Sequence, residues 1–406
     1  MYPAESYVVP YKRLLFDDET KKAVIEHMER GELLQDDEPA YHFEKAFAYA
    51  VGKKEAIAVC NGSWAGWLAL YGCGIEEGDE VILPACTDYP VANQVVHSRA
   101  KPVFVDVDPE TQNMDPTKVE EKITERTKAI LPVHMMGHPV DMDPILEIAR
   151  RHGVFVIEDA CHSLGARYKG KNLPLGDVGY YSFHGKSLWT VSGGGMVVTN
   201  DPKIAERIRF ERHHGVLVKG YNHRPPHVTE DGIWEDLITS FSMNYRIAEI
   251  AAVIGLHQVK KLPQLVESQR ETAKQYTERL AGVPIVPPIE KEWAFHTYTR
   301  YVINAPLRNE LQSYLKKKGI QTIVSYPAPI PLLGIYAKRY GHKSGDFPVT
   351  ENIKKIQLSL PEPRCLSSWQ VEYVTAMIRE FYNENPLSEA DLERLKSERM
   401  SPLPRP

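Results

Sequence analysis

The chain has 406 residues, of which 43% are hydrophobic and 25% are charged, and its formal net charge is -5. This composition is typical of a soluble globular protein, and the mildly acidic balance argues against a nucleic-acid surface held by bulk charge. The five cysteines show no CxxC spacing and no Cys/His grouping, so we expect reduced thiols and no metal site. Because the N-terminus has no apolar targeting segment and the longest apolar runs are strand-sized, we expect a cytoplasmic protein that does not enter a membrane.

Short β-branched runs alternate with helical patterns between about residues 54 and 200. The runs are EAIAVC, DEVILP, KPVFVDV, KAILPVH, VFVIEDA and GMVVTN. Alternating strand and helix units of this length predict an α/β fold with a mostly parallel sheet that helices cover on both faces. Because ligands of such sheets bind at the carboxyl ends of the strands, we expect the chemistry in the turns that follow AVCN, VILP and VIED.

The pattern changes beyond the predicted sheet. A helical pattern over residues 248–281, broken near Leu262-Pro263, indicates a connector. Further on, HTYTRYVI predicts a strand, and residues 308–318 and 369–382 predict helices. We therefore expect a large cofactor-binding domain with an N-terminal arm over residues 1–262, a smaller α+β domain over residues 263–383 and a charged tail over residues 384–406.

The first candidate segment for chemistry is CNGSWAG, which follows a strand pattern and opens a helix. A Gly-Ser turn at a helix N-terminus presents free backbone N–H groups and a hydroxyl, which together form an anion or phosphate site. Gly62 and Ser63 are the candidate residues. The same turn would also suit an ordinary helix cap, and so short a motif does not separate the two interpretations.

The second candidate segment, VIEDACH, is an apolar strand that ends in two acidic residues. A carboxylate there, such as that of Asp159, would keep a pyridinium nitrogen protonated, so that the ring can accept electrons. His162 would then hydrogen-bond a ring substituent. A helix-capping or metal-binding aspartate is the competing interpretation.

The third candidate segment, YSFHGKS, places Lys186 in a loop rich in hydroxyls and glycines. A lysine that forms an imine must lose its proton near neutral pH, which desolvation or nearby positive charge arranges. Taken alone, a surface lysine is the commoner interpretation. The three segments together supply a phosphate grip, a pyridinium partner and an amine, in the order expected of pyridoxal-phosphate enzymes with the aspartate-aminotransferase fold.

The chain resembles the sugar aminotransferases of the DegT/DnrJ/EryC1/StrS family. The matching segments are EEGDEVILPACTDYPVANQVV, AKPVFVDVDPETQNMDP, LPVHMMGHPVDMDPI, VIEDACHSLGARYKG, GDVGYYSFHGKS, GGGMVVTND, SMNYRIAEIAAVIGLHQVKKL and GDFPVTE. The resemblance implies fold type I (aspartate-aminotransferase-like), with a large, mostly parallel sheet domain and a smaller C-terminal α+β domain. It also implies a homodimer with active sites at the subunit interface and ping-pong transfer of an amino group from glutamate or glutamine.

The resemblance assigns one group of residues to the phosphate of pyridoxal 5'-phosphate. Gly62, Ser63 and the amide of Trp64 would bind it, and Ser182 would add a hydroxyl. Asn244 would reach the phosphate of the neighbouring subunit's cofactor.

A second group is assigned to the cofactor ring. Asp159 would pair with the pyridine nitrogen, and His162 would lie near the ring oxygen. Lys186 would be the catalytic lysine that holds the cofactor. Tyr89 is the candidate for stacking on the ring, although strict alignment with the family would put Asp88 there.

Three positions depart from the family pattern. The family lysine commonly lies five positions after the serine that matches Ser182, whereas Lys186 lies four positions after it and Ser187 occupies the family's lysine position. The glutamate of a Gly-Glu-Gly-Gly turn is absent from SGGG, and Ser325 replaces the histidine of a His-Tyr-Pro segment. A one-residue shift in a glycine-containing loop is physically easy, so we assign the cofactor to Lys186.

We therefore expect a pyridoxal-phosphate-dependent aminotransferase of antibiotic or polysaccharide sugar biosynthesis. It would act on a keto-sugar, with a nucleotide-linked one as first choice, or on a keto-cyclitol. The alternatives are a dehydratase or epimerase with the same cofactor, and a non-catalytic sensor or partner protein of the same fold. Residues 217–237 either contact the substrate or form a solvated insertion, and the sequence does not identify the acceptor.

Overall fold

The structure is a computed structural model that describes residues 7–13, 16–31, 38–185, 188–190, 193–215 and 240–388. The helices are α1 (Asp18–Arg30), α2 (Glu38–Val51), α3 (Gly62–Gly72), α4 (Tyr89–His97), α5 (Met142–His152), α6 (Pro202–Arg212), α7 (Glu249–Lys260), α8 (Leu262–Arg279), α9 (Arg308–Lys317), α10 (Gly334–Tyr340), α11 (Pro348–Ile356) and α12 (Ser368–Glu384). Across these ranges, no helix is both long and apolar enough to cross a membrane.

In the described part of the chain, strands and α-helices alternate from residue 55 to residue 105, but no α-helix lies between residues 106 and 141 or between residues 160 and 201. The strands are β1 (Glu55–Val59), β2 (Glu80–Pro84), β3 (Lys101–Val105), β4 (Thr127–Ile130), β5 (Phe155–Asp159), β6 (Arg167–Tyr168), β7 (Lys171–Asn172), β8 (Val178–Ser182), β9 (Gly195–Thr199), β10 (Ala294–Phe295), β11 (Val302–Asn304) and β12 (Gln357–Ser359). Each of the six predicted runs overlaps one of these strands.

The main sheet has the strand order β1-β9-β8-β5-β4-β2-β3 among the described residues. Its pairs from β8 to β3 are parallel, whereas β9 is antiparallel to both β1 and β8. The prediction of a mostly parallel sheet is therefore confirmed. A three-stranded sheet, β10-β6-β7, and a two-stranded sheet, β11-β12, lie outside it.

Helices cover the main sheet on both faces because its strands are apolar on both sides. In β1, Ile57 packs into one core with Leu68 of α3, while Ala58 packs into a second core with Phe43 of α2 and Ala251 of α7. Alternation of side chains along the strand sends successive residues to opposite faces. This three-layer arrangement leaves the carboxyl ends of the parallel strands open for a site.

The C-terminal part has a core of its own around β11 and β12. Tyr276 of α8, Leu311 of α9 and Val374 of α12 pack there with Ile303. Val9 of the N-terminal arm enters the same core and pairs with Ile320. The domain boundaries near residues 262 and 383 stay predictions, and residues 389–406 of the expected tail lie outside the described residues.

Candidate active site

A cavity of about 400 Å³ opens at the carboxyl ends of β1, β2, β5 and β8. Its volume falls in the range of small-molecule and cofactor pockets. Six of the residues predicted from the sequence line it, and they are Gly62, Ser63, Tyr89, Asp159, His162 and Ser182. The fold thus brings together residues that lie up to 120 positions apart in the chain.

The turn before α3 forms one end of the cavity. Asn61 caps the helix, and its Oδ1 accepts a hydrogen bond from the Trp64 N–H at 2.9 Å. A Cβ on Gly62 would lie 2.5 Å from the Cβ of Ser182, so glycine is required for the turn to approach β8 this closely. Ser63 and Ser182 both line the cavity beside the positive end of α3. This cradle fits the phosphate group of a cofactor.

Trp64 does not line the cavity in the described structure. Its amide already donates to Asn61, and its indole packs 4.5 Å from the ring of Tyr245. The phosphate contact that we expect from the Trp64 amide therefore stays a prediction, and it would require the Asn61 cap to open.

Asp159 ends β5 and is only 6% exposed. Its Oδ1 accepts a hydrogen bond from the Cys161 N–H, and its Oδ2 accepts one from the Tyr180 hydroxyl, both at 2.9 Å. Burial, together with the charge of Asp159, raises the pKa of Tyr180 well above its ordinary value, so this hydroxyl remains a donor. Donors to both oxygens favour an ionised carboxylate, which is the partner that a protonated pyridine nitrogen requires.

The second acidic residue at the end of β5, Glu158, lies on the opposite face of the strand. Its Oε2 lies 2.8 Å from Nε2 of buried His134, and its Oε1 accepts hydrogen bonds from the Leu175 and Gly176 N–H groups. These contacts hold the end of β5 in place, and the residue after Glu158 is Asp159. The structure thereby separates a carboxylate that supports the strand from one that faces the cavity.

His162 lines the cavity three residues after the end of β5. Its Nδ1 accepts a hydrogen bond from the Met136 N–H at 3.2 Å, which leaves the proton of a neutral ring on Nε2. That Nε2 lies 3.2 Å from the Tyr326 hydroxyl. The ring is thus oriented to offer an N–H group to an oxygen atom in the cavity.

Asp88 and Tyr89 both line the cavity at the start of α4. Asp88 is the N-cap residue, but its side chain accepts no capping hydrogen bond. The Tyr89 side chain is 58% exposed. Both residues reach the cavity, and the stacking role of Tyr89 stays a prediction.

Several predicted positions lie outside the described residues, and they are Lys186, Ser187, Ser192 and residues 217–237. The ends of the lysine segment are described, because Ser182 of β8 pairs with Gly195 of β9. His184 lines the cavity, whereas Trp189 is buried and lies under the Arg364 guanidinium at 4.9 Å.

Asn244 lies away from this cavity and is exposed. Its Oδ1 accepts hydrogen bonds from the N–H and the Nε–H of Arg246, at 3.1 and 3.3 Å. Phe241 and Met243, just before it, are strongly exposed apolar side chains. The role of Asn244 at the neighbouring subunit's cofactor stays a prediction.

Among the other lining residues, the sequence did not indicate Lys12, Gln94, Tyr180, Arg300 and Tyr326 as cofactor ligands. Tyr180 had a signal, because residues two apart on a strand share a face and Ser182 was already a candidate. Gln94 follows Tyr89 on the same helix, and Tyr326 belongs to the segment in which Ser325 replaces the family histidine. No local motif marks Lys12 or Arg300.

Comparison with known proteins identifies the family. The family model of the DegT/DnrJ/EryC1/StrS aminotransferases matches residues 15–379. The chain belongs to this family. Its members are sugar aminotransferases that depend on pyridoxal phosphate, so the chain is a pyridoxal-phosphate-dependent aminotransferase.

The chain matches individual relatives over most of their length. A pleiotropic regulatory protein of Geobacillus stearothermophilus is 41% identical over 334 residues, which are 81% of this chain and 85% of the relative. A GDP-perosamine synthase of Escherichia coli O157:H7 is 36% identical, over 84% of this chain and 90% of the relative. A dTDP-3-amino-3,4,6-trideoxy-alpha-D-glucose transaminase of Streptomyces venezuelae is 34% identical, over 89% and 92%.

The solved structures agree with the fold prediction. The crystal structure of S. venezuelae DesV, in complex with a ketimine intermediate, superposes with a TM-score of 0.81 at 34% identity, over 89% of this chain and 94% of DesV. The aminotransferase TlmJ of Streptoalloteichus hindustanus gives a TM-score of 0.83 at 28% identity, over 94% and 100%. The expected fold type I is confirmed.

Proposed function

We propose that this aminotransferase moves an amino group from glutamate or glutamine to a keto-sugar, with a nucleotide-linked sugar as first choice, or to a keto-cyclitol. The observation that carries the proposal is the cavity itself, which joins a phosphate-sized cradle at Ser63 and Ser182 to the buried carboxylate of Asp159. Relatives named GDP-perosamine synthase and dTDP-sugar transaminase support a nucleotide-linked acceptor.

The residues of the chain would divide the work by their chemistry. Pyridoxal phosphate, when bound, supplies an electron sink for the reacting amine. Ser63 and Ser182 would donate hydrogen bonds to its phosphate, and Asp159 would hold the ring nitrogen protonated. His162 would offer its Nε2 proton to the ring oxygen. These contacts fix the orientation of the ring before a substrate enters.

Lys186 would carry the cofactor and move the proton at the reacting carbon. A second lysine competes for this assignment on position alone, because Lys12 is the lysine side chain on the cavity wall among the described residues. Its Nζ lies close to Gly185, the residue before Lys186. The family pattern favours Lys186, since Lys12 belongs to the N-terminal arm.

Covalent labelling separates the two lysines. Purified protein with cofactor is treated with borohydride, digested and analysed by mass spectrometry. We expect the reduced cofactor on the Lys186 peptide, and we expect the label to disappear in Lys186→Ala and to persist in Lys12→Ala. A label on the Lys12 peptide would contradict the assignment.

The reaction type is tested with labelled glutamate and a panel of nucleotide-linked keto-sugars and keto-cyclitols. An aminotransferase releases 2-oxoglutarate in proportion to the amino-sugar formed, and both products depend on the acceptor. Loss of water from the sugar without 2-oxoglutarate would indicate the dehydratase alternative. No spectral change of the cofactor with either amino donor would contradict the proposed function.

We also infer that two copies of the chain form a homodimer. Asn244 is exposed beside Phe241 and Met243, whose large apolar side chains are 107% and 66% exposed. Such apolar exposure next to a predicted cofactor ligand supports a subunit contact at this position. Asn244 of one copy would then bind the phosphate in the other copy's site.

A further inference from the structure

Arg300 is a buried cation on the cavity wall that the mechanism above does not use. The residue is 7% exposed, and it lines the same cavity as Asp159 and Ser182. Its Nε and Nη1 atoms are buried and have no hydrogen-bond acceptor among the described residues. Leaving donors of a buried charged group unpaired is costly. The arrangement therefore points to an anion that completes these hydrogen bonds.

The negative groups of the chain around Arg300 do not saturate it. The nearest carboxylate oxygen is Oε1 of Glu362, which lies 4.0 Å from Nε and is too distant for a hydrogen bond. The charge of Asp88, at the start of α4, also acts on Arg300. These groups offset part of the charge, but they leave the planar guanidinium edge without a bidentate partner.

The backbone around Arg300 fixes where the guanidinium lies in the cavity. The Arg300 N–H donates to the Met136 carbonyl at 3.3 Å, and the preceding Thr299 hydroxyl donates to the His162 carbonyl. The guanidinium carbon lies 5.5 Å from the centre of the Tyr326 ring, whose hydroxyl is 3.2 Å from Nε2 of His162. Arg300 is therefore on the His162 side of the cavity, beyond Tyr326.

The contacts of Arg300 point to a partner other than the cofactor phosphate. The phosphate cradle is formed by Ser63 and Ser182, whereas Arg300 stands beside the pair assigned to the ring oxygen. In pyridoxal phosphate, the substituent carbon at which the amino group is exchanged is attached to the ring carbon next to the one that bears this oxygen. An anionic group on the amine-bearing carbon of a substrate would thus come close to Arg300.

We propose that Arg300 binds the α-carboxylate of the amino donor, an inference that rests on the proposed function. The α-carboxylate is attached to the amine-bearing carbon, whereas the side-chain carboxylate of glutamate is two methylene groups further away. A guanidinium matches a carboxylate with two parallel hydrogen bonds. Arg300 is thus a specificity-determining residue that selects α-amino acids as donors.

The donor half-reaction tests this proposal, because it can be followed from the cofactor spectrum without a sugar acceptor. Wild type, Arg300→Lys and Arg300→Met are mixed with glutamate, with glutamine and with glutamic acid 1-amide, which lacks the α-carboxylate. We expect kcat/KM for glutamate and glutamine to fall about 100-fold in Arg300→Met, with partial rescue in Arg300→Lys. The 1-amide, already a poor donor for wild type, should be unchanged.

A binding measurement provides a readout besides activity. Calorimetry with 2-oxoglutarate should show a loss of affinity of about 100-fold in Arg300→Met. Arg212→Lys is the matched control, because Arg212 is equally buried but is paired with Glu44 away from the cavity. It should lower the unfolding temperature without changing the preference for the α-carboxylate over the amide.

Each outcome separates the two proposals. If wild type fails to react with glutamate and glutamine, the proposed function is wrong. If wild type reacts and the Arg300 variants retain its donor preference, Arg300 has a structural role with Glu362 and the inference is overturned. Loss confined to glutamate, with glutamine unaffected, would mean that Arg300 binds the side-chain carboxylate and would also overturn it.

Discussion

The charge of Asp159 depends on a donor that itself cannot ionise. The Tyr180 hydroxyl lies 2.9 Å from Oδ2, and burial raises the pKa of this tyrosine well above its ordinary value. The donor is therefore present throughout the pH range of an assay. A neutral phenol held against a carboxylate stabilises the charged form of the acid, and with it the protonated state of the cofactor ring.

We predict that Tyr180→Phe weakens both cofactor affinity and turnover by about 10-fold, because a hydrogen bond to a charged group is lost. Absorbance titration of the cofactor-free protein and steady-state kinetics measure the two effects. Tyr181→Phe is the control, since Tyr181 is equally buried on the other face of β8 and donates to the Leu173 carbonyl at 3.0 Å. Equal losses in both variants would contradict the role of Tyr180.

Residues that are marked by a local motif could be predicted from the sequence, and residues placed by tertiary folding could not. Gly62, Asp159 and Ser182 each follow or end a strand pattern, and the structure brings them to one cavity. Arg300 and Tyr326 reach the same cavity from the C-terminal part of the chain, where a family segment marks Tyr326 but nothing marks Arg300. Their position depends on contacts made more than 130 residues away in sequence, with Met136 and His162.

The helices and strands also divide into those that the local sequence predicted and those that tertiary folding changed. The predicted helices over residues 308–318 and 369–382 are confirmed as α9 and α12, and the break at Leu262 separates α7 from α8. The predicted strand HTYTRYVI is wrong over most of its length, because β11 begins only at Val302. The Thr297 and Arg300 N–H groups donate to the Gly137 and Met136 carbonyls instead of to a strand. A strand does form here, but tertiary contacts make it shorter than the strand propensity of the segment predicts.

The segment before β11 is attached to the sheet through a histidine that must stay neutral. His138 Nδ1 donates to the Pro139 carbonyl at 2.7 Å, so Nε2 is free to accept a hydrogen bond from the Lys291 N–H at 3.3 Å. The rings of Trp293 and His296 pack against it at 5.4 and 5.3 Å. Burial lowers the pKa of His138 to about 4. A second proton, on Nε2 of His138, would point at the Lys291 N–H and repel it.

We predict that His138 makes stability fall as the pH is lowered from 6.5 towards 4. The unfolded chain, with an ordinary histidine pKa of about 6.5, binds the proton that the folded state refuses, so acid favours unfolding. The contribution is about 2 kcal/mol between pH 6.5 and 5.

Urea unfolding at pH 7.5 and pH 5.0 measures this loss. His138→Gln, which has no charge to gain, should lose less stability over the interval, although buried His296, whose pKa is also lowered by burial, leaves a residual dependence. A variant with the same pH dependence as wild type would contradict the assignment to His138.

At the scale of the whole molecule, the exposed segment around Asn244 predicts a dimer whose two sites are completed across the interface. Met243→Glu should shift the mass in light scattering towards that of one 46.1 kDa chain, because a charge would be placed in an apolar contact. Cofactor affinity should fall with it by about 10-fold, since a charge-assisted hydrogen bond to phosphate is lost.

Two further variants separate assembly from cofactor binding. Asn244→Ala should remain dimeric and still bind cofactor more weakly. Trp369→Glu changes a side chain that is 55% exposed on α12, and it should affect neither quantity. A wild-type protein that is monomeric with full cofactor affinity would contradict the dimer.

The antiparallel strand β9 also determines when the site can form during synthesis. In the described sheet, β1 lies at the edge and pairs with β9 along its whole length, with Glu55 opposite Thr199, and the turn that follows β1 is packed against Ser182 of β8. A ribosome-bound chain that ends before about residue 200 therefore lacks the strand that anchors β1. Because the N-terminal part of a chain emerges first and long-range pairing is slow, a nascent chain would acquire the ability to capture its cofactor only after half of the protein has been made.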